Sequence, residues 1–105
     1  MSKSVFSIRM DYHNALSQAK ELENIASSLG ESDRELEGCI GEILSSSQSE
    51  NADVFAGKTE TVKGNIETVQ RDILRIAETV RKIAERTYKA EMRAAEIARK
   101  RDYNG

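Results

Sequence analysis

The chain contains no proline and no tryptophan, a single cysteine, a single histidine and five aromatic residues (Phe6, Tyr12, Phe55, Tyr88 and Tyr103). Each shortage removes a class of function. One cysteine, Cys39, builds neither an intrachain disulfide nor a cysteine metal site. One histidine, His13, leaves no histidine catalytic triad and no zinc site of the usual kind; beside Asp11 and Tyr12 it reads as an ordinary helix-surface residue. No apolar run approaches the length a bilayer requires, so no membrane span is expected. No basic start leads into an apolar core, so no cleavable signal peptide is expected. A glycine-rich phosphate loop, paired metal ligands and a nucleophile elbow are also missing. The expectation is a protein that is not an enzyme, with no catalytic residues, metal or cofactor.

What is present points to helices. The 105 residues suffice for one small domain or one long hairpin. The absence of proline among many helix formers favours long uninterrupted helices. The β-branched residues recur at steps of four and three instead of alternating at period 2.

From Val62 this pattern is regular. Val62, Ile66, Val69, Ile73, Ile76, Val80, Ile83, Thr87, Ala90, Ala94 and Ile97 form an a/d seam over five heptads, β-branched at its start and small at its end. Lys63, Glu67, Arg71, Asp72, Arg75, Glu78, Arg81 and Lys82 lie between seam positions and suit water. The first half follows the same steps through Ile8, Tyr12, Ala15, Ala19, Leu22, Ala26, Leu29, Asp33, Leu36, Ile40 and Ile43, with Asp33 the one mismatch. Leu16, Ile25, Cys39 and Leu44 widen that stripe, and Cys39 reads as a core filler there. Gly30, Gly38 and Gly41 each cost roughly 1 kcal/mol against alanine inside a helix, so helix 1 is expected to be weakest, and most open to a kink or fraying, between Gly30 and Gly41.

The break falls at Ser45-Ser46-Ser47-Gln48-Ser49-Glu50-Asn51, where serines compete for backbone hydrogen bonds and favour turns and caps. Ser49 is placed to cap the second helix, with Glu50 and Asp53 favourable in its first turn. The reading is a single all-α helix-turn-helix hairpin over 1–105, with helix 1 over about 8–44, a loop at about 45–50 and helix 2 over about 50–101. Helix 2 would be a rod of roughly 75 Å, which needs a partner along its seam. Two antiparallel helices leave each core side chain half wet, so pairing of two hairpins into a dimeric four-helix bundle is expected. The seam residues Leu22, Leu29, Leu36, Ile40, Ile43, Val62, Ile66, Val69, Ile73, Ile76, Val80 and Ile83 would hold the hairpin and the dimer. Phe55 reads as closing the apolar end near Leu44, with a surface anchor for a partner as the alternative. Tyr88, off the seam, reads either as a rim residue packing on the hairpin or as part of a recognition face.

Charge is uneven. Residues 1–60 carry five basic and eleven acidic groups, whereas residues 81–101 carry eight basic and three acidic ones. The basic stretch is compatible with lipid or nucleic acid, but it lies on a helical pattern with its own glutamates and lacks interleaved aromatics. A solvated face is therefore preferred, and no nucleic-acid partner is expected. In an antiparallel hairpin the acidic start (Asp11, Glu21, Glu23) would lie near this basic end.

Two long helices around a central loop without an enzyme motif resemble the WxG-motif family, the early-secreted-antigen-like helical hairpins of type VII secretion. The segment from Ile76 to Ala98, followed by Arg101-Asp102-Tyr103, is similar to the C-terminal half of Firmicute-type members; the opening Ile8-Arg9-Met10-Asp11-Tyr12 with Ala15-Leu16 is also similar. The signature departs. Ser47, Gln48 and Ser49 stand at the Trp-x-Gly position, and Phe55-Ala56-Gly57 mimics that motif only in form, inside the helix 2 pattern. The family's Tyr-x-x-x-Asp/Glu export signal would need an acid at Met92. A looser signal falls on Thr87, Glu91, Ala94 and Ala98, beside Tyr88. The resemblance implies a small secretion substrate or targeting partner, made in the cytoplasm and exported without a leader. Its implied partners are itself or a related hairpin, a larger secreted toxin, and the secretion system's membrane ATPase. The alternative expectation is a cytoplasmic coiled-coil adaptor or structural interaction protein.

Overall fold

A computed structural model of the chain describes residues 3–46 and 49–104. Two helices make up almost all of this: α1, Val5–Ser46, and α2, Glu50–Asn104. Among the described residues there is no strand, and the architecture is an all-α helical hairpin.

The helix ends follow from local hydrogen bonding. Ser4 caps α1: its Oγ accepts from the Ser7 N–H at 3.1 Å and its carbonyl accepts from the Ile8 N–H at 3.0 Å. At the other end of α1 the Ser45 and Ser46 hydroxyls donate to the Glu42 carbonyl, the local side-chain bonding that makes serines mark helix ends. Ser49 caps α2, accepting from the Ala52 N–H at 3.1 Å, and Glu50 and Asp53 lie in the first turn, where the helix dipole favours acid. Ser47 and Gln48, two of the three residues at the Trp-x-Gly position, lie outside the described residues. The stretch from Gly30 to Gly41, expected to be the weakest of helix 1, is not interrupted. α1 runs through all three glycines as one helix, because propensity is a weak preference that packing overrides.

The chain divides into two compact units. Unit 1 joins the first part of α1, up to Glu21, to α2 from Ile76 onward; unit 2 spans Leu22–Arg75 and contains the turn. Within each unit the two helical segments run antiparallel. In unit 1 Tyr12 stacks on Tyr88 while Lys3 reaches Glu91; in unit 2 Asp33 meets Lys63 while Gly30 meets Gln70.

Both cores are built on small residues. Ile8, Ala19, Ala77 and Ala84 are buried in unit 1, and Ala26, Ile40, Ala52 and Ala56 in unit 2. No large side chain is fully buried among the described residues. Alanine at the contact lets two helix axes approach closely, but it removes little apolar area from water, at roughly 25 cal/mol per Å².

This choice of contact edge sets which apolar residues are covered. On α1 the stripe from Ile8 to Ile43 faces inward, half-buried or buried throughout, including the mismatch Asp33. On α2 the inward line of unit 2 runs through Ala52, Ala56, Lys63, Ile66, Gln70 and Ile73, and that of unit 1 through Ala77, Val80, Ala84, Tyr88 and Ala95. Ile66, Ile73 and Val80 are shared with the seam read from sequence. Val62, Val69, Ile76, Ile83 and Ile97 lie to one side of it, each about half exposed. Lys63 and Glu67, assigned to water from spacing, are half-buried on the inward side. Cys39, expected in the core, is exposed, because Ile40 takes the inward position of that turn. Phe55 is 57% exposed and does not close an apolar end; its neighbour Ala56 is the buried residue there.

Candidate interaction surface

In unit 1, α1 and α2 meet around a stacked pair of tyrosines. The ring centroids of Tyr12 and Tyr88 are 4.6 Å apart with planes inclined by 24°, an arrangement worth about 0.5–1.5 kcal/mol beyond burial. Of the two sequence readings of Tyr88, packing on the hairpin is the one its position matches. One turn farther along α2, Glu91 accepts from Lys3 Nζ at 3.3 Å through Oε1. Its Oε2 lies at the same distance from Nζ but is buried without a hydrogen bond. Lys3 also donates to Asp11 at 3.0 Å. The hydrogen bond to Asp11, then that to Glu91, holds the Lys3 ammonium above its ordinary value. This pair runs opposite to the sense expected from the charge distribution: the base comes from the segment before α1 and the acid from α2.

The residues assigned to the candidate export signal therefore differ in availability. Tyr88 and Glu91 are engaged by Tyr12 and Lys3; Thr87 and Ala94 are exposed; Ala98 is half-buried. Beside the stack lies a cleft of about 260 Å³ between the helices, walled by Ile8, Ala15, Val80 and Ala84, with Ile83 and Thr87 on the α2 side.

Unit 2 carries a polar cluster in its interhelical contact. Lys63 Nζ lies 3.6 Å from Asp33 Oδ2 and donates to Glu67 Oε1 at 2.7 Å. The hydrogen bond from Lys63 holds the Glu67 carboxyl below its ordinary value, and the same bond raises Lys63. Asp33 Oδ1 is buried without a hydrogen bond. The mismatch in the α1 stripe is thus one half of a cross-helix ion pair. Its partner was legible only as a lysine one residue past Val62, which spacing alone assigns to water. Nearby, Gly30 makes room for Gln70: a Cβ there would lie 2.8 Å from the Gln70 amide nitrogen.

Sequence reasoning missed Lys3 altogether, because a lone lysine before a helix carries no periodic signal. Among the described residues no cluster of three or more histidine, cysteine or acidic side chains is arranged to hold a metal ion, and no helix is long and apolar enough to cross a membrane. The seam residues divide as described: Leu22, Leu29, Leu36, Ile43, Ile66, Ile73 and Val80 half-buried, Ile40 buried, and Val62, Val69, Ile76 and Ile83 exposed. No family model matches the sequence, and no curated protein or solved structure shows significant similarity to it.

Proposed function

We propose that this chain is a non-enzymatic protein-interaction module: a small type VII secretion substrate or targeting partner that pairs as a helical hairpin and presents an export surface. The observation that supports pairing is the row of half-exposed isoleucines on the unit 1 part of α2. Ile76, Ile83 and Ile97 are 53%, 57% and 48% exposed and lie on one seven-residue repeat whose remaining position is Ala90, the spacing at which one helix offers side chains to another. The link to secretion rests on the WxG-motif resemblance. In this reading a second hairpin, of this chain or a related one, covers the row. The exposed Thr87 and Ala94 are offered to the secretion ATPase, and export is leaderless. A larger secreted toxin carrying a similar hairpin is a further partner of the same type.

The second reading is a cytoplasmic coiled-coil adaptor. It is favoured by the engagement of Tyr88 and Glu91 in the fold, which gives both a structural task without any export. Secretion separates the two. The native host should release the chain into culture supernatant only when the secretion ATPase is intact. Ala94→Glu, at an exposed position, should reduce release without loss of helicity. Retention of the wild-type chain in cells with an active system overturns the export reading and leaves the adaptor.

A further inference from the structure

Along the unit 1 part of α2, Ile76, Ile83, Ala90 and Ile97 recur every seventh residue, and all are exposed. Three residues after each of the last three stand Arg86, Arg93 and Lys100, also exposed. Residues three and seven apart share one edge of a helix, so the edge alternates apolar and cationic side chains. Lys100 has a carboxylate of its own, Glu96 at 3.6 Å. Arg86 and Arg93 form no ion pair among the described residues. Ile83 also borders the apolar cleft against α1, so a helix lying along this edge has a recess for an apolar side chain one turn from the Arg86 guanidinium, with that of Arg93 two turns farther on.

The charges argue about who the partner is. A two-fold antiparallel pairing that overlaps the row from Ile76 to Ile97 has its axis beside Arg86, so Arg86 would face its own copy. A parallel pairing sets every arginine against itself. Like charges opposed across a helix contact are destabilising, and they specify against that pairing. An anionic bilayer suits the charge, but three isoleucines and no aromatic residue on this edge give little to insert into lipid.

We propose that this edge receives a single acidic amphipathic helix of a different protein, with an apolar residue every seventh position and a carboxylate three or four residues from each. The inference sharpens the pairing reading above, and its test does not use export, so the two fail separately. The full chain is titrated with a synthetic helix of about four heptads bearing isoleucine and glutamate in that pattern. A control peptide has lysine for each glutamate, and vesicles rich in phosphatidylglycerol are tested in parallel. The glutamate peptide should bind and the lysine peptide should not. Arg86→Glu with Arg93→Glu should weaken glutamate-peptide binding at least about tenfold and confer binding of the lysine peptide. Both arginines are exposed, and unchanged circular dichroism verifies the fold. Ile83→Ser, which spares the buried core, should also weaken binding. Equal binding of both peptides overturns the proposal, as does no binding of either. Binding to the vesicles but not to the glutamate peptide, or self-association of the chain that Ile83→Ser abolishes, overturns it as well.

Discussion

The two units use the same small-residue core but are tied across the helices in different ways. Unit 1 is held by an aromatic stack and by a lysine that precedes α1 and reaches two carboxylates, one on each helix. Unit 2 has no aromatic pair in its contact; it places a lysine between Asp33 and Glu67 on the inward side and lets a glutamine amide sit against a glycine. Alanine cores bring helices close but bury little, so each unit depends on added cross-helix contacts. The aromatic stack adds area and shape. The charged cluster adds little net stability, since desolvation offsets attraction, but it penalises a shifted pairing that would strand Asp33.

The largest effect is expected at Ala77, which is wholly buried in unit 1. Ala77→Glu both overpacks the contact and buries an unpartnered charge, and it should remove about 3 kcal/mol or more. Protection from amide exchange should collapse in residues 5–21 and 77–102. If urea unfolding of this variant matches wild type, the close alanine contact of unit 1 is not what holds it.

The next effect sets the two buried isoleucines against each other. Ile8→Ala in unit 1 and Ile40→Ala in unit 2 should each cost about 2–5 kcal/mol in chemical denaturation. The larger loss is expected at Ile8, which is the more deeply buried and lies beside the Tyr12–Tyr88 stack and the cleft. Equal losses at the two sites would mean that the stack adds no rigidity to its surroundings.

The helices were legible in the sequence for a physical reason: proline is absent, and the 4-3 recurrence of apolar residues admits no other regular structure. The α1 stripe and the turn serines could be read in the same way. The contact edge of α2 could not. Periodicity reports that an edge is apolar but not which of two adjacent edges meets the neighbouring helix. On α2 the bulky β-branched row carries the stronger apolar signal, whereas the alanines at 52, 56, 77 and 84 are the buried residues. The same ambiguity hid Lys63, which belongs to the inward line because Asp33 lies opposite. Tyr88 was legible as an off-seam aromatic, but its partner Tyr12 became visible only once the register was known.

A smaller effect separates glycines that look alike in sequence. Gly41 has nothing within 4 Å of an added Cβ, so Gly41→Ala should gain the full helix-propensity difference of about 0.5–1 kcal/mol. Gly30→Ala gains the same propensity but must displace the Gln70 amide. That amide ends a flexible side chain, so the net gain should be positive and smaller. Thermal unfolding of the two variants measures the difference. A loss at Gly30 would mean that Gln70 is locked in place and that the close approach is itself part of the unit 2 contact.

The smallest effect is the response to pH, and its sign follows from the direction of each shift. Glu67 in unit 2 and Glu85 in unit 1 are both held below the ordinary carboxyl value of 4.5, by hydrogen bonds from Lys63 and Lys89. Their contribution is fully present above 4.5 and is lost as pH falls through the lower folded values. Lys3 and Lys63 are held above 10.5, so their contribution is intact below 10.5 and is lost as pH rises through the higher folded values. The acid limb should distinguish the units. Glu85 pairs with Lys89 of its own helix, so protonating it does not open the unit 1 contact, which the uncharged Tyr12–Tyr88 stack also closes. Glu67 shares Lys63 with Asp33 across the unit 2 contact, so protonating it loosens the lysine that joins the helices. Amide exchange followed below pH 4.5 should therefore quicken first around Asp33 and Lys63, while residues near Tyr12 and Tyr88 keep their protection. The opposite order would show that the charged cluster contributes nothing to closing unit 2, and that its small-residue core closes that unit unaided.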